Sequence, residues 1–201
     1  MLTPAEKQKI RKKLEEYEGF IDHIYRDSKG LATVAVGHMM PNVQAAQQLT
    51  FYTAKGTRAT PAEIKIDYEL VMKQPANRLA GFYKRFTVLK MKSSDADLLT
   101  NKHIESFYKE LKKIYADYDK FPSDAKLALM DLIFNVGMPN LKNSWPTMNA
   151  AIKAKDWAKA AANSNRKAPI SATRNKYVKD LFIKASQENF PGKTSQAKVT
   201  P

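Results

Sequence analysis

Residues 18–38, which read EGFIDHIYRDSKGLATVAVGH, constrain the fold of this chain more than any other stretch. A helix precedes them, because Thr3 and Glu6 have the spacing of a capping box and Pro4 suits a first helical position. Gly19 suits the end of that helix, since glycine tolerates a positive φ. The pattern therefore predicts a helix that ends at Glu18 and leads directly into a different kind of structure.

The residues that follow have the pattern of a β-hairpin over residues 24–38. Residues 27–30, with the sequence DSKG, have the composition of a turn. Residues 31–38 are predicted to form a strand. Its alternation would place Thr33, Ala35 and Gly37 on one face and the two valines between them on the other.

Two carboxylates in this stretch occupy different predicted environments. Glu18 falls in the last helical turn, where the helix dipole disfavours a negative charge, and a general acid must retain its proton. Asp27 lies at the mouth of the turn, where an ionised carboxylate could orient a water molecule. Such a pair is what the hydrolysis of a glycosidic bond requires, and the small side chains beside Thr33 leave room for a sugar. The simpler interpretation of Glu18 is a surface glutamate next to Glu15 and Glu16.

The residue pattern across 18–38 resembles the active-site segment of the bacteriophage-type lysozymes, the phage muramidases of glycoside hydrolase family 24. The resemblance implies that Glu18 is the catalytic acid and that Asp27 and Thr33 complete a catalytic trio. The implied reaction is hydrolysis, with inversion, of the β-1,4 bond between N-acetylmuramic acid and N-acetylglucosamine in peptidoglycan. Ala35 stands where the family usually has glycine, which would narrow the cleft by one methyl group.

The same resemblance implies further site residues outside the trio. Substrate contacts are expected at four residues: Gly37, Met39, Asn135 and Asn163. His38 is expected to be structural, and Arg174 is expected to pair with Glu18. For Asn135, a buried and hydrogen-bonded amide is the open alternative, and for Arg174 it is an ordinary surface arginine.

The implied fold is α+β and mostly helical, with a small β-hairpin lobe, a long connecting helix and a helical C-terminal lobe. Residues 1–186 would form the catalytic domain, with the helical lobe over 97–186, and residues 187–201 are predicted to be a flexible tail. The resemblance covers residues 1–39 and 97–186. Residues 40–95 are longer than the family's connection and are predicted to be an inserted or expanded segment.

Helices are predicted from apolar spacing and capping signals along the rest of the chain. Thr60 and Glu63 form a second capping box, and Thr100 is predicted to cap the long helix. The predicted helices span residues 61–72, 77–86, 101–118, 125–136, 147–154, 158–163 and 177–185. Residues 125–136 are apolar nearly all round, which is typical of a central buried helix. The aromatics of the middle segment either form a small core, which we favour, or line extra sugar subsites: Phe51, Tyr52, Phe82, Tyr83 and Phe86.

The formal charge of +14, from 34 Lys and Arg against 20 Asp and Glu, indicates polyanionic partners. Nucleic acid is one candidate and the bacterial cell envelope another, while a solvated face rich in lysine is the simplest interpretation. No nucleic-acid fold signature or phosphate-binding glycine loop is found, which argues against nucleic acid. We expect a monomer that binds peptidoglycan, and an immunity or inhibitor protein as a further partner.

The chain has no cysteine, so no disulfide can support the fold. We expect no cofactor and no metal, since His23, His38 and His103 lack ligand spacing. No signal peptide and no membrane-length apolar run are recognised. We therefore expect synthesis in the cytoplasm and action on peptidoglycan after release by a holin or delivery by a secretion system, as a phage enzyme or as the lysozyme domain of a larger antibacterial effector.

Three other functions fit parts of the same pattern. A lytic transglycosylase needs a single acid and gives anhydro-muramyl products. A basic nucleic-acid-binding module would not depend on Glu18. A glycan-binding relative without turnover would keep the cleft and lose the chemistry.

Overall fold

The computed structural model describes residues 1–188, which form a mostly helical α+β structure with a three-stranded antiparallel sheet. This confirms the predicted class. Residues 187 and 188 of the tail predicted for 187–201 form the end of the last helix, and the rest of that tail lies outside the described residues.

The elements follow one another with short connections. The first part of the chain contains α1 (Pro4–Glu18), β1 (Ile21–Arg26), β2 (Ala32–Ala35), β3 (His38–Met40), α2 (Val43–Gln47), α3 (Pro61–Met72) and α4 (Ala80–Tyr83), followed by a 3₁₀ turn (Lys84–Phe86). The second part contains α5 (Ser93–Ile114), a 3₁₀ turn (Tyr118–Lys120), α6 (Ser123–Asn143), α7 (Pro146–Lys153), α8 (Trp157–Ala162) and α9 (Ala172–Glu188). No helix within residues 1–188 is long and apolar enough to cross a membrane.

The chain divides into two compact units, and the divisions fall inside α1 and α5. Unit 1 combines Met1–Ile10 with the chain from Ile104 onward, and unit 2 is Arg11–His103. The predicted hairpin and the predicted inserted segment, residues 40–95, therefore lie together in unit 2.

Unit 2 is built around its sheet, in which β2 pairs with β1 on one side and β3 on the other. Helix α3 packs against β1 and β2. Apolar side chains from the strands, from α3 and from the following segment form one core, whose fully buried members include Ile24, Val34, Met40, Phe51, Val71 and Tyr83. The burial of Phe51 and Tyr83 supports the interpretation that these middle-segment aromatics are core residues.

The two predicted capping boxes and the predicted helix end at Gly19 are confirmed. The Thr3 backbone N–H donates to Glu6 Oε2 (2.7 Å), and the Glu6 N–H donates to Thr3 Oγ1 (3.2 Å). Helix α3 has the predicted capping box between Thr60 and Glu63. Gly19 follows the last residue of α1 with φ +74°. Each of these features depends on residues within four positions of one another, which is why the sequence predicts them.

Two predicted elements have wrong boundaries for identifiable reasons. The strand predicted over 31–38 ends at Ala35, because Ala35 (φ 57°) and Gly37 (φ 71°) turn the chain into β3. The prediction that Thr33, Ala35 and Gly37 share one face of a strand is therefore wrong for Gly37, which lies in the turn. Thr100 does not cap α5, which starts at Ser93; its hydroxyl donates to the Ala96 carbonyl (3.0 Å) from inside the helix.

In unit 1, α6 supplies the buried side chains expected of a central helix and packs against α9. It is longer than predicted and contains a kink at Gly137, where φ is 72° and ψ is 160°. Asp131 on α6 is buried and accepts from two buried guanidinium groups, Arg166 Nη1 (2.9 Å) and Arg174 Nε (3.0 Å). Arg166 Nε also donates to Asn175 Oδ1 (3.1 Å), so one charge network ties α6 to α9.

Asp131→Ala is expected to lower the free energy of unfolding by about 3–5 kcal/mol, because it leaves two buried guanidinium groups without their carboxylate. The matched control is Asp180→Ala, which removes a solvent-exposed i,i+4 pair with Lys176 and is expected to cost less than about 1 kcal/mol. Urea unfolding followed by circular dichroism measures both. Equal losses for the two variants would contradict a structural role for the Asp131 network.

Candidate active site

Asp27 lies in a tight turn directly after β1. Its backbone N–H donates to the Leu31 carbonyl (2.9 Å), and its carbonyl accepts from the Gly30 N–H (2.9 Å). Its side-chain Oδ1 accepts from the N–H groups of Lys29 and Leu31, both at 2.9 Å. The turn predicted for residues 27–30 is confirmed, and it holds this carboxylate through one oxygen.

Arg26, the residue before Asp27, stabilises this turn through hydrogen bonds. Its Nε donates to the Gly30 carbonyl (3.0 Å), and Nη1 donates to the carbonyls of Met72 (3.4 Å) and Gln74. Two observations favour glycine at position 30. Its φ of +78° is one that other residues rarely adopt, and a Cβ there would lie 2.9 Å from Arg26 Nη2. The turn that carries Asp27 is therefore fastened to the end of α3.

The sheet register brings the predicted trio residues Asp27 and Thr33 to one face, together with Tyr25. Tyr25 and Thr33 are direct partners across β1 and β2, so their side chains point to the same side of the sheet. The Asp27–Leu31 hydrogen bond continues this pairing by one residue, so Asp27, two positions after Tyr25, projects to that side as well. Met39 on β3 pairs with Thr33 across the other edge of β2, and its side chain is 51% exposed.

Both predicted carboxylates act on the Tyr25 phenol. Burial raises the pKa of Tyr25 above its ordinary value, and the negative charges of Asp27 and then Glu18 raise it further. The phenol therefore keeps its proton and remains a hydrogen-bond donor at physiological pH. Glu18, at the end of α1, and Asp27, after β1, thus lie within electrostatic reach of one side chain.

The accessibility of the trio differs from one member to the next. Glu18 is exposed. Asp27 is half-buried, and Thr33 is 2% exposed, with its hydroxyl donating to the Leu31 carbonyl at 3.2 Å. Gly37 adopts φ +71° in the turn between β2 and β3, with no atom within 4 Å of the position a Cβ would take.

A histidine pair that could not be predicted from the sequence connects β3 to α5. His38 Nδ1 and His103 Nε2 are 2.8 Å apart, and the ring centroids are 5.1 Å apart. Burial, then the neighbouring His103 and Lys102, lower the pKa of His38 to about 4, and burial also lowers the pKa of His103. His38 thus contacts a residue 65 positions away in the sequence.

Three further predicted site residues lie in unit 1. Asn135 is half-buried, and its Oδ1 accepts from Arg166 Nη1 at 3.4 Å, which favours the hydrogen-bonded interpretation. Asn163 ends α8, with its side-chain amide donating to the Lys159 carbonyl at 2.8 Å. Arg174 is buried and donates to Asp131, so it is not an ordinary surface arginine. Its pairing with Glu18, and the glycan contacts of the two asparagines, stay predictions.

No group of three or more metal-binding side chains is found within the part of the chain that the structure describes. No protein-family model matches the chain, and no curated protein is significantly similar to it. The interpretation of the site therefore depends on its own residues and geometry.

The histidine pair predicts a pH dependence of stability. Because both folded-state pKa values lie below the ordinary value of 6.5, the unfolded chain binds protons first as the pH falls. The contribution of the pair is fully present above about pH 6.5 and is lost as the pH falls from there towards about 4. Thermal unfolding at a series of pH values should show this loss, and His38→Asn should reduce its slope. An unchanged slope in the variant would mean that other groups govern acid stability.

Proposed function

We propose that this chain is a glycoside hydrolase of the phage-lysozyme type, which cleaves the β-1,4 bond between N-acetylmuramic acid and N-acetylglucosamine in peptidoglycan. The observation that carries the proposal is the convergence on Tyr25. Asp27 and Thr33 project to its side of the sheet, and the charge of Glu18 reaches its phenol. The phage-lysozyme fold is part of the proposal, and the mostly helical structure with a small antiparallel sheet agrees with it.

The three residues have separate roles in the proposed reaction. Glu18 donates its proton to the glycosidic oxygen, so that the leaving sugar departs as an alcohol. Asp27 takes a proton from a water molecule whose oxygen attacks the anomeric carbon from the opposite face, which inverts its configuration. Thr33 helps to orient that water through its hydroxyl, which would exchange its 3.2 Å bond to the Leu31 carbonyl for the water.

The positions of the two carboxylates suit these separate roles. Glu18 is exposed at the C-terminal end of α1, where a substrate can reach it. The Asp27 Oδ1 atom is held by two N–H groups. Its Oδ2 atom makes no hydrogen bond to the described residues, which leaves it for water.

Tyr25 is proposed as a positioning residue for this reaction. Its phenol is neutral, can donate one hydrogen bond and lies within electrostatic reach of both carboxylates. In the substrate complex it would hold either the Asp27 carboxylate or a sugar hydroxyl in place.

The polyanionic cell envelope is the proposed environment for this activity, because the net charge of +14 draws the chain to it. Access to peptidoglycan is proposed to depend on a holin or a secretion system. An immunity or inhibitor protein remains part of the proposal.

Glu18→Gln and Asp27→Asn are each expected to reduce the hydrolysis of purified peptidoglycan by about 10²–10⁴-fold, because each removes an acid or base needed in the transition state. Mass spectrometry of the released muropeptides should show reducing N-acetylmuramic acid ends in the wild type. The matched control is Glu15→Gln, an exposed glutamate on the same helix, which should leave the rate unchanged.

The products and the variants separate the competing functions. Anhydro-muramyl products with an active Asp27→Asn variant would establish a lytic transglycosylase instead. Peptidoglycan binding without any product would indicate a glycan-binding module. Salt-sensitive DNA binding that survives Glu18→Gln, with no product, would favour a nucleic-acid-binding module.

Tyr25→Phe keeps the ring and removes the hydroxyl, and it is expected to lower kcat by about tenfold, the equivalent of one hydrogen bond to a charged group. KM should change little if the bond positions the carboxylate, and should rise if the bond holds the sugar. Tyr52→Phe is the control. It removes the hydroxyl of another tyrosine in the same unit, and that hydroxyl interacts with Asp95. A Tyr25→Phe variant with wild-type kcat and KM would remove Tyr25 from the mechanism.

A further inference from the structure

A groove of about 770 Å³ opens on the surface of unit 2 beside α3. One wall is the outer side of α3, where Ile66 and Leu70 lie four residues apart and therefore share a face. The other walls are the turn at residues 53–57 and the stretch from Arg85 to Leu89. The opposite side of α3 packs into the core through Ile64, Tyr68 and Val71.

The groove displays large apolar side chains to solvent. Ile66 is 59% exposed, Leu70 is 43% exposed and Val88 is 76% exposed. These three residues line one concave surface, whereas single exposed apolar side chains are ordinary features of protein surfaces. Their clustering in a groove of this volume is typical of a binding site.

The groove is firmly built. Asp67, on its floor, is 2% exposed and accepts from the Val88 N–H (2.8 Å) and from the Thr87 hydroxyl. The wall at residues 53–57 is closed by a hydrogen bond from the Thr53 N–H to the Thr57 carbonyl (2.9 Å). Tyr52 connects that wall to the other, because its N–H donates to the Lys90 carbonyl (2.7 Å) and its carbonyl accepts from the Lys90 N–H (2.9 Å). A partner would therefore meet a surface that is already formed.

The charges around the groove are mostly positive. Lys55 and Arg85 lie on its walls and are exposed. The stretch from residue 70 to residue 94 contains six Lys or Arg side chains and no Asp or Glu. Two acids of α3 line the groove: Glu63 is bonded to Thr60 at the start of the helix, and Asp67 is buried and bonded to the opposite wall. Residues 55–94 as a whole carry nine Lys or Arg against three Asp or Glu. The segment that surrounds the apolar centre of the groove therefore has a net positive charge.

We propose that this groove is the docking site for an acidic amphipathic helix of a partner protein. The apolar face of such a helix would pack against Ile66, Leu70 and Val88, in the manner of a helix bound in a groove. Its flanking carboxylates would face Lys55 and Arg85 at the rim, where complementary charge favours association. A second copy of this chain fits poorly, because two molecules of charge +14 repel each other. The proposal does not depend on the glycosidase function.

The test uses two synthetic amphipathic peptides of about 15 residues, one of Leu and Glu and one with Lys in place of every Glu. Fluorescence anisotropy with the whole chain at about 0.1 M salt should give micromolar binding of the Glu peptide, weakened by added salt, and no binding of the Lys peptide. Amide NMR shifts caused by the Glu peptide should cluster at residues 53–57, 63–70 and 85–89.

Four variants localise the binding with matched controls. Ile66→Glu is expected to weaken binding of the Glu peptide by at least about tenfold, and Leu79→Glu, an 88% exposed leucine that does not line the groove, by less than about twofold. Lys55→Glu is expected to weaken it by about threefold or more, and Lys73→Glu, an exposed lysine that does not line the groove, by less than about twofold. Because all four positions are exposed, the variants should fold.

Several results would overturn the proposal. Binding of the Lys peptide as tight as that of the Glu peptide would rule out the charge argument. Absence of Glu-peptide binding, or equal weakening by the variants and their controls, would rule out the groove as its site. Dimerisation in sedimentation that Ile66→Glu abolishes would assign the groove to a second copy instead, and binding to anionic vesicles lost in that variant, without peptide binding, would assign it to a lipid surface. Because the assay contains no peptidoglycan, its failure leaves the proposed hydrolase untouched.

Discussion

The turn that carries Asp27 depends on the Arg26 guanidinium. That group carries a positive charge and presents several N–H donors in a fixed plane. It reaches three backbone carbonyls: one in the turn, one at the last residue of α3 and one just beyond that helix. Carbonyls at the end of a helix carry partial negative charge, so a guanidinium suits this position. Gly30 leaves the space for it, because any Cβ there would meet Arg26. These hydrogen bonds connect the candidate site to α3, which packs against β1 and β2. A displacement of α3 would therefore change the position of the Asp27 carboxylate.

What could be predicted from the sequence is what local chemistry decides. The capping boxes at Thr3 and Thr60, the helix end at Gly19 and the turn at Asp27 each involve a few neighbouring residues, and all are confirmed. The position of Tyr25 could also have been found, because residues two apart on a strand share a face. The predicted alternation of side chains was wrong beyond Ala35, because that residue adopts a positive φ that cannot be predicted from an alanine.

The features that could not be predicted connect distant parts of the chain. His38 and His103 are 65 residues apart, and nothing in the sequence near either one indicates the other. The same holds for Asp131, whose partners Arg166 and Arg174 come from a later connection and helix. Such pairs form because a buried polar group needs a partner, and the choice of partner is made by the fold. The resemblance assigned Arg174 to Glu18, and that assignment could not anticipate the bond to Asp131.

The distribution of charge gives the proposed function a physical rationale. Residues 30–54, which include β2 and β3, contain no Asp, Glu, Lys or Arg, although the whole chain carries +14. Cations elsewhere on the chain can therefore attract a polyanionic envelope over distances of about a Debye length, roughly 10 Å at 0.1 M salt, without placing a fixed charge on these strands. In the proposed reaction, a neutral sugar ring would meet hydrogen-bonding groups and small side chains there, and the carboxylates at either end of β1 would supply the local charge. A cation placed on β2 would instead favour the anionic form of both carboxylates, whereas the proposed reaction needs one of them as an acid.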